Sequence, residues 1–371
     1  MSQQQPPRSK TRRIEIGNVA IGGGAPVSVQ SMANADTRDV KATLDQISKL
    51  AAAGCQIARL AVPDAKAAEA LRQIVAESPL PVVADIHFDY RLALASIEAG
   101  VQALRINPGN IGAPERVKAV AEAAGKAGIP IRVGANSGSL PKGLLESKLK
   151  TGMTHDNAIA ESLVDAALGQ AKLLESFGFT KMKVSLKASS VAATVAACRL
   201  FSQRSEYPLH LGVTEAGTAW RGAIKSAVGI GTLLLEGIGD TIRVSLTADP
   251  VEEVRAGIAI LEAAGLRKPQ PELVSCPTCG RTEVDLIGMA GRVEKLVEEI
   301  KASGRRITLS KIAVMGCCVN GPGEASDADL GIAGGAGKFM LFKFGKPIAT
   351  FSEEEAFEKL KAEILASLEK I

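Results

Sequence analysis

Six cysteines occur in the chain, and four of them fall between Cys276 and Cys318. Cys276-Pro277-Thr278-Cys279 is a tight turn whose two-residue gap lets both thiolates reach one metal centre. Further on comes Gly316-Cys317-Cys318-Val319-Asn320-Gly321-Pro322-Gly323-Glu324. Adjacent side chains tend to diverge, so one of Cys317 and Cys318 is expected to join the turn. In a reducing compartment such clustered thiols indicate metal ligation before disulfide formation. Three thiolates and a weaker fourth ligand suit an iron–sulfur cluster with one reactive iron. The spacing also leaves a structural zinc open, although zinc ribbons normally use two CxxC pairs. Glu324 is placed to offer a carboxylate, yet Gly-Pro-Gly-Glu is equally an ordinary surface turn.

A second set of reactive types recurs near the ends of short β-rich runs. The runs are Pro26–Met32, Gln56–Val62, Pro81–His87, Ala103–Pro108, Pro130–Asn136, Lys181–Lys187, Leu209–Glu215 and Thr241–Thr247. Arg59 lies in the second; Asp85 and His87 close the third, Arg105 and Asn107 the fourth. Arg132 and Asn136 belong to the fifth, Lys187 to the sixth, Thr214 and Glu215 to the seventh, Arg243 and Ser245 to the eighth. Four arginines and a lysine against two carboxylates do not neutralise one another, so an anionic ligand is expected among them. Guanidinium forks match phosphate oxygens bidentately, which makes a diphosphate-sized small molecule the natural occupant. Asp85 and Glu215 are then the acids available for proton transfer. His87 reads equally well as a ligand contact or as a satisfied structural histidine.

These residues need a scaffold that brings eight strand ends together. Between the runs lie stretches of helical periodicity, such as Lys41–Ala53, Ala65–Glu77, Glu115–Ala127, Asn157–Phe177 and Val251–Ala264. Strand–helix alternation implies a parallel sheet. Eight units in about 265 residues fit a TIM (β/α)₈ barrel, whose usual size is ~250 residues and whose active sites lie at the strands' C-terminal ends. An open doubly wound sheet would want GxGxxG after its first strand, which is missing. The expected fold is therefore α/β: a TIM barrel over residues 1–268, followed by a small α+β iron–sulfur domain over 269–371. Leu266–Pro271, with two prolines, is the linker. Ile14–Gly24 alternates Ile and Val with polar residues and reads as a hairpin plugging the barrel's bottom. The second domain should contain a helix around Arg292–Ser303, a strand at Lys311–Met315 and a closing helix from Glu353 to Lys370.

Composition narrows the function classes. Aromatic residues are only 3% of the chain, so the core is filled by aliphatics, and the exposed stacking platforms of nucleic-acid binders are not expected. Net charge is +4 without a basic block, which gives no reason to expect a polyanionic polymer. No apolar run is long enough to span a bilayer. Residues 1–13 are polar, basic and Pro-containing, without the apolar core of a signal peptide, so a cytoplasmic protein is expected.

Taken in order, Val83-Ala84-Asp85-Ile86-His87-Phe88, His210-Leu211-Gly212-Val213-Thr214-Glu215-Ala216-Gly217, Ser275-Cys276-Pro277-Thr278-Cys279-Gly280 and the Gly316–Glu324 segment resemble one family. It is the bacterial 4-hydroxy-3-methylbut-2-enyl diphosphate synthases of the non-mevalonate isoprenoid pathway. The resemblance runs from about Arg13 to the end, without the extra central domain of plant-type relatives. It implies a TIM barrel plus a cluster domain, and 2-C-methyl-D-erythritol 2,4-cyclodiphosphate as substrate. The reaction it implies is reductive ring opening with loss of water, fed with two electrons by flavodoxin or ferredoxin. It further implies a [4Fe–4S] cluster on Cys276, Cys279, Cys317 and Glu324, with Cys318 structural because relatives often carry Val there. Arg59, Arg105, Arg132, Lys187, Arg243 and Ser245 would bind the diphosphate, with His87 and Thr214 also in the substrate site. Asp85, Asn136 and Glu215 would meet the erythritol part, Glu215 as proton donor, and Asn320 would contact substrate from the cluster side. A head-to-tail homodimer is implied as well.

Two rival readings remain open on the residues alone. One keeps the barrel as a pterin- or phosphate-binding enzyme with a structural zinc domain; the other takes the cysteine domain as a zinc module that docks nucleic acid or protein. Gly334-Gly335-Ala336-Gly337-Lys338 fails as a P-loop, since Ile332 and Phe339 stand where Gly and Ser/Thr are required, and reads as a turn between strands. Cys55 and Cys198 sit in apolar surroundings and read as buried small side chains.

Overall fold

The computed structural model describes residues 7–268, 271–317 and 327–369. Cys318, Asn320 and Glu324 lie outside the described residues. The chain divides into two compact units, 1–267 and 268–371.

The first unit opens with a short antiparallel hairpin, β1 (Ile14–Ile16) and β2 (Val19–Ile21). The eight β-rich runs then become β3 (Ser28–Met32), β4 (Ile57–Ala61), β5 (Val82–Asp85), β6 (Ala103–Arg105), β7 (Ile131–Asn136), β8 (Met182–Lys187), β9 (His210–Leu211) and β10 (Thr241–Ile242). All pair in parallel with their sequence neighbours, and β10 returns to β3. A single bridge, Val184 to Leu209, links β8 to β9 and completes the ring. The expected barrel is what forms.

Around it lie α1 (Val40–Ala52), α2 (Ala65–Glu77), α3 (Tyr90–Glu98), α4 (Pro108–Ile111), α5 (Pro114–Ala127), α6 (Leu144–Leu149), α7 (His155–Ser176), α8 (Val191–Arg204), α9 (Ala219–Leu235) and α10 (Pro250–Ala263). Several start at an Asp whose carboxylate accepts a first-turn N–H. Asp39, Asp64 and Asp89 take those of Ala42, Ala67 and Arg91.

Alternation along the strands decides what the barrel encloses. On β4, β5, β7 and β8 the apolar residues Ala58, Leu60, Val82, Ala84, Ile131, Val133, Val184 and Leu186 join the main core with helix residues such as Leu71 and Ile74. The intervening residues face inward, and most are polar: Arg59, Asp85, Arg132, Ser185 and Lys187. Barrel interiors are ordinarily filled by branched aliphatics. Here aliphatics fill only the bottom, where Ile57, Val83 and Ala103 pack against Ile14, Ile16 and Ile21 of the hairpin. The hairpin is the plug that the sequence suggested.

The second unit is a five-stranded sheet ordered β11 (Glu272–Ser275), β12 (Lys311–Met315), β13 (Leu330–Gly335), β14 (Lys338–Lys343), β15 (Lys346–Phe351). The first three are parallel and the last two turn back antiparallel. α11 (Leu286–Ala302) and α12 (Glu353–Ala366) cover it through Met289, Val293, Leu360 and Ile364. Ala336-Gly337 and Phe344-Gly345 are two-residue hairpin loops with φ between +48° and +70°, the left-handed pair that a type I′ turn needs. The glycine-rich stretch ahead of Lys338 is thus a hairpin tip. Among the described residues no helix is long and apolar enough to cross a membrane.

Candidate functional site

Asp85 is the hinge of the barrel's charge network. It is 5% exposed and accepts from Arg105 Nη1 at 3.2 Å, with Arg59 Nε at 3.8 Å and His87 Nε2 at 3.7 Å. Burial alone would raise its carboxyl. His87, Arg59, Arg105 and Arg132 outweigh burial and hold it well below the usual carboxylate range. Arg105 Nη1 also reaches His87 Nε2 at 2.8 Å, on the exposed rim. Burial lowers Arg59 to about 10, still charged at neutrality.

The other carboxylate of the network is one that the sequence reading passed over. Glu253, buried in the first turn of α10, accepts from Arg243 Nη2 at 3.1 Å, Arg243 Nε at 3.3 Å, Ser31 Oγ at 3.1 Å and the Leu246 N–H at 2.9 Å. Three of the arginines expected to grip a ligand are therefore paired: Arg59 and Arg105 with Asp85, Arg243 with Glu253. Arg132 and Lys187 remain. Each is less than 8% exposed, and neither side chain has a hydrogen-bond partner or carboxylate among the described residues. Arg132, Arg243, Arg59 and Arg105 all bear electrostatically on Lys187, whose amine burial and these charges push well below its ordinary value. Gly212 makes room for it. A Cβ there would lie 2.6 Å from Lys187 Nζ and 2.6 Å from the Arg243 carbonyl oxygen.

The remaining barrel candidates surround this group. Asn136 pairs in register with Lys187 at the ends of β7 and β8. Thr214, Arg243 and Ser245 lie just past β9 and β10, which are shorter than the expected runs. Asn107 Oδ1 accepts from the Gly109 N–H, capping α4, and from Gln170 Nε2, so its oxygen is occupied structurally. Glu215 is exposed in the loop after β9, with φ +52°. Phe88, after β5, has φ +66° and is 68% exposed. Non-glycine residues held left-handed cost of order 1–3 kcal/mol each and cluster at functional sites. Both flank the mouth.

In the second unit, register between β11 and β12 sets Ser275 beside Val314, so the segments leading to Cys276 and Cys317 leave the sheet side by side. The Gly316 N–H donates to Cys276 Sγ at 3.2 Å. Hydrogen bonds from the Arg281 backbone and side chain lower the Cys279 thiol. The Arg281 contacts favour thiolate at Cys279, the form that ligates metal. Cys276, Cys279 and Cys317 are free thiols. Among the described residues no three His, Cys, Asp or Glu side chains surround one point where a single metal ion would sit. A four-iron cube binds each ligand at a separate corner, so the thiolates need not converge on one point. Cys55 and Cys198 are buried, and burial pushes their thiols up to about 11 and 12, away from chemistry.

Some of the interior was legible and unused. Lys183 lies four residues before Lys187 and His210 two before Gly212, so strand alternation puts them on the same inner face. Glu253 gave no such signal, since it reads as an ordinary first-turn acid of a helix.

Comparison with known proteins follows this geometry. Residues 11–258 match the GcpE TIM-barrel domain and residues 272–366 the GcpE protein C-terminal domain. A relative from Geobacter sulfurreducens, named 4-hydroxy-3-methylbut-2-en-1-yl diphosphate synthase (flavodoxin), is 55% identical over 96% of this chain and 98% of its own length. One of the same name from Clostridium acetobutylicum is 54% identical over 96% and 99%. A dihydropteroate synthase from Yersinia pestis superposes with a TM-score of 0.43 at 14% identity, over 68% of this chain and 97% of its own, too distant to bear on chemistry. The match to both domain models and to relatives over nearly the whole length settles membership: the chain belongs to the GcpE family.

Proposed function

We infer that the chain is a flavodoxin-dependent 4-hydroxy-3-methylbut-2-enyl diphosphate synthase. It opens the ring of 2-C-methyl-D-erythritol 2,4-cyclodiphosphate reductively, with loss of water. The relatives' shared name over nearly full length supports the reaction. The observation that supports it in this chain's own chemistry is the barrel mouth, where the buried Arg132 guanidinium and Lys187 amine have no hydrogen-bonded carboxylate among the described residues. Such a pair calls for an anionic ligand, and a cyclic diphosphate supplies two phosphates of the right size.

In this reading residues 1–268 bind substrate and 269–371 hold a [4Fe–4S] cluster on Cys276, Cys279, Cys317 and Glu324. The cluster supplies single-electron delivery and a Lewis-acidic iron for a substrate oxygen. The chain's own residues do the rest. Arg132 and Lys187 take phosphate oxygens directly, while Arg59, Arg105 and Arg243 contribute N–H groups not engaged by Asp85 or Glu253. Ser245, Thr214 and His87 add neutral contacts at the rim. Asp85, locked as carboxylate by its arginines, orients the erythritol hydroxyls with Asn136. Asp85 is held too acidic to carry a proton at neutral pH, and we assign protonation of the departing hydroxyl to Glu215, as the family resemblance implies. Asn320 is the last residue assigned to the substrate. Assembly as a head-to-tail homodimer and a cytoplasmic location complete the proposal.

The test is an anaerobic assay of iron- and sulfide-loaded protein with the cyclic diphosphate and reduced flavodoxin. Formation of the allylic diphosphate is the expected result. Fully loaded protein that binds the cyclic diphosphate without converting it would overturn the reading.

A further inference from the structure

Beneath the mouth lies a row of buried polar groups that the reaction above does not use. Lys183 of β8 is 1% exposed and stands in register with Arg132 of β7. Its amine has one hydrogen-bond partner among the described residues, Gln30 Oε1 of β3 at 3.4 Å. Next to β8, His210 Nδ1 of β9 meets Thr241 Oγ1 of β10 at 2.7 Å. Gln30 Nε2, Arg132 Nε and His210 Nε2 are buried with no partner among the described residues. Buried donors without acceptors are costly and ask for an explanation.

Charge makes the case sharper. Lys183 feels Arg132 from β7 and Arg59 from β4, and the one acid that bears on it is Asp240, ahead of β10. Asp240 is already bonded to Arg8 and Thr11. His210 of β9 is held neutral by burial and by Arg132, Lys187, Lys183 and Arg59. Above stand Lys187, Arg105 and Arg243, with Asp85 and Glu253 the carboxylates paired to them among the described residues. Fully ionised, this interior would hold six cations against Asp85 and Glu253, with Asp240 already paired to Arg8. Arginine does not release its proton in proteins, whereas a buried lysine does so readily.

We propose that Lys183 is a neutral amine in the ligand-free barrel and takes up a proton when an anionic ligand occupies the mouth above it, acting as a positioning residue that matches the barrel's charge to the ligand's. The inference rests on the reading that the ligand is a cyclic diphosphate. A neutral amine relieves the repulsion with Arg132 and Arg59, and its lone pair is an acceptor in a region short of them. Burial and those two arginines push the amine well below its ordinary value, with Asp240 opposing. Two phosphates in the mouth reverse the sign of the local field and favour ammonium again. Because the bound form holds more protons, binding is tightest at low pH. It weakens about tenfold per pH unit, for each proton taken up, between the free and bound pKa values.

Calorimetry of the cyclic diphosphate binding to cluster-loaded, unreduced protein, in buffers of different ionisation enthalpy, reads this uptake directly. Each ring phosphorus keeps a single strongly acidic hydroxyl, so the ligand itself contributes no titration near neutrality. Wild type should take up about one proton more than K183M, and its affinity should fall more steeply with pH. Equal uptake in both would assign the proton elsewhere, to Lys187 for instance, and overturn the proposal. Binding without net uptake in wild type would overturn it whether or not K183M folds. No binding at all would instead remove the substrate reading on which it rests.

Discussion

The two units present their reactive side chains in opposite ways. In the barrel the charged side chains stand on strands or at their ends, and Arg59, Asp85, Arg105, Arg132 and Lys187 are buried. Each is fixed by register with a neighbouring strand. In the second unit Cys276 and Cys279 lie in the loop between β11 and α11, and Cys279 is exposed. A single N–H from Gly316 reaches the Cys276 sulfur. An anion site can be made in advance by a sheet, because hydrogen bonds between strands hold it whether or not ligand is there. A metal site on loops draws much of its order from the group it binds, so binding energy there is also folding energy. Removing a ligand should therefore be catastrophic but local in the second unit, and graded in the barrel.

The largest effect should follow loss of a thiolate. C276S, C279S or C317S is expected to lose most iron and sulfide and nearly all activity, while C318S is mild. Iron and sulfide determination with the visible spectrum of anaerobically purified protein is the readout. If C318S lost the brown colour and C317S kept it, the ligand set would be wrong. The barrel should still bind the cyclic diphosphate in all four variants, since its charge network is complete within the first unit.

Next comes Glu215, which the barrel presents on a strained, exposed loop rather than in the paired network. A positioned general acid contributes ~10²–10⁴ in rate. E215Q keeps the shape but has no proton to give. It should load its cluster and bind substrate about normally, with maximal turnover lower by that factor. The structure already weakens the rival role, a salt bridge to Arg243 or Lys187, because Arg243 is held by Glu253. Unchanged turnover with weakened affinity in E215Q would restore it.

Arg132 should matter for grip alone. It donates to no carboxylate among the described residues, so R132A removes ligand contacts without leaving a hydrogen-bonded protein acceptor unpaired. A charge-assisted hydrogen bond of this kind is worth roughly 1.5–3 kcal/mol, or about ten- to a hundredfold in affinity. Cluster content and melting temperature should stay near wild type. R59A should show a smaller affinity loss joined to a stability loss, because Asp85 would lose one of its counter-charges. Equal binding in R132A and wild type would remove the phosphate site.

How far the sequence could be read follows from the same contrast. All eight barrel strands were visible, since each is a short β-rich run closed by polar residues, and so was the hairpin plug. Of the three strands from Leu330 to Phe351, the sequence showed the turn between the first two but neither their bounds nor the third. Glycines at 331, 334 and 335 dilute the strand signal there, and the decisive cue, left-handed loops at Ala336-Gly337 and Phe344-Gly345, is a backbone property. At the site, residue types gave the cations but not their pairing. Strand alternation could have found Lys183 and His210. Nothing in the sequence announced that Glu253, ten residues beyond Arg243, turns inward from the first turn of α10 to claim it.

That pairing gives the smallest and most discriminating test within the barrel. Glu253 accepts from four donors at once, two of them on the Arg243 guanidinium. It also sits in a helical first turn, where a negative charge is favoured. E253Q keeps the volume but presents one oxygen in place of two, and its amide N–H₂ must face a donor. Arg243 is partly released, and a free fork can turn toward the phosphates. Two opposed consequences follow. Stability should drop, because hydrogen bonds to a buried charge contribute about 1.5–3 kcal/mol and one partner is now mismatched. At roughly 2–4 °C per kcal/mol for a unit of this size, the barrel transition should fall by several degrees. Substrate affinity should change little, since what the ligand gains from Arg243 offsets what the site loses in order. Thermal unfolding followed alongside calorimetric binding separates the two. If E253Q instead bound the cyclic diphosphate as poorly as R132A while melting like wild type, Glu253 would belong to the ligand site, and the division of the arginines into paired and free would fail.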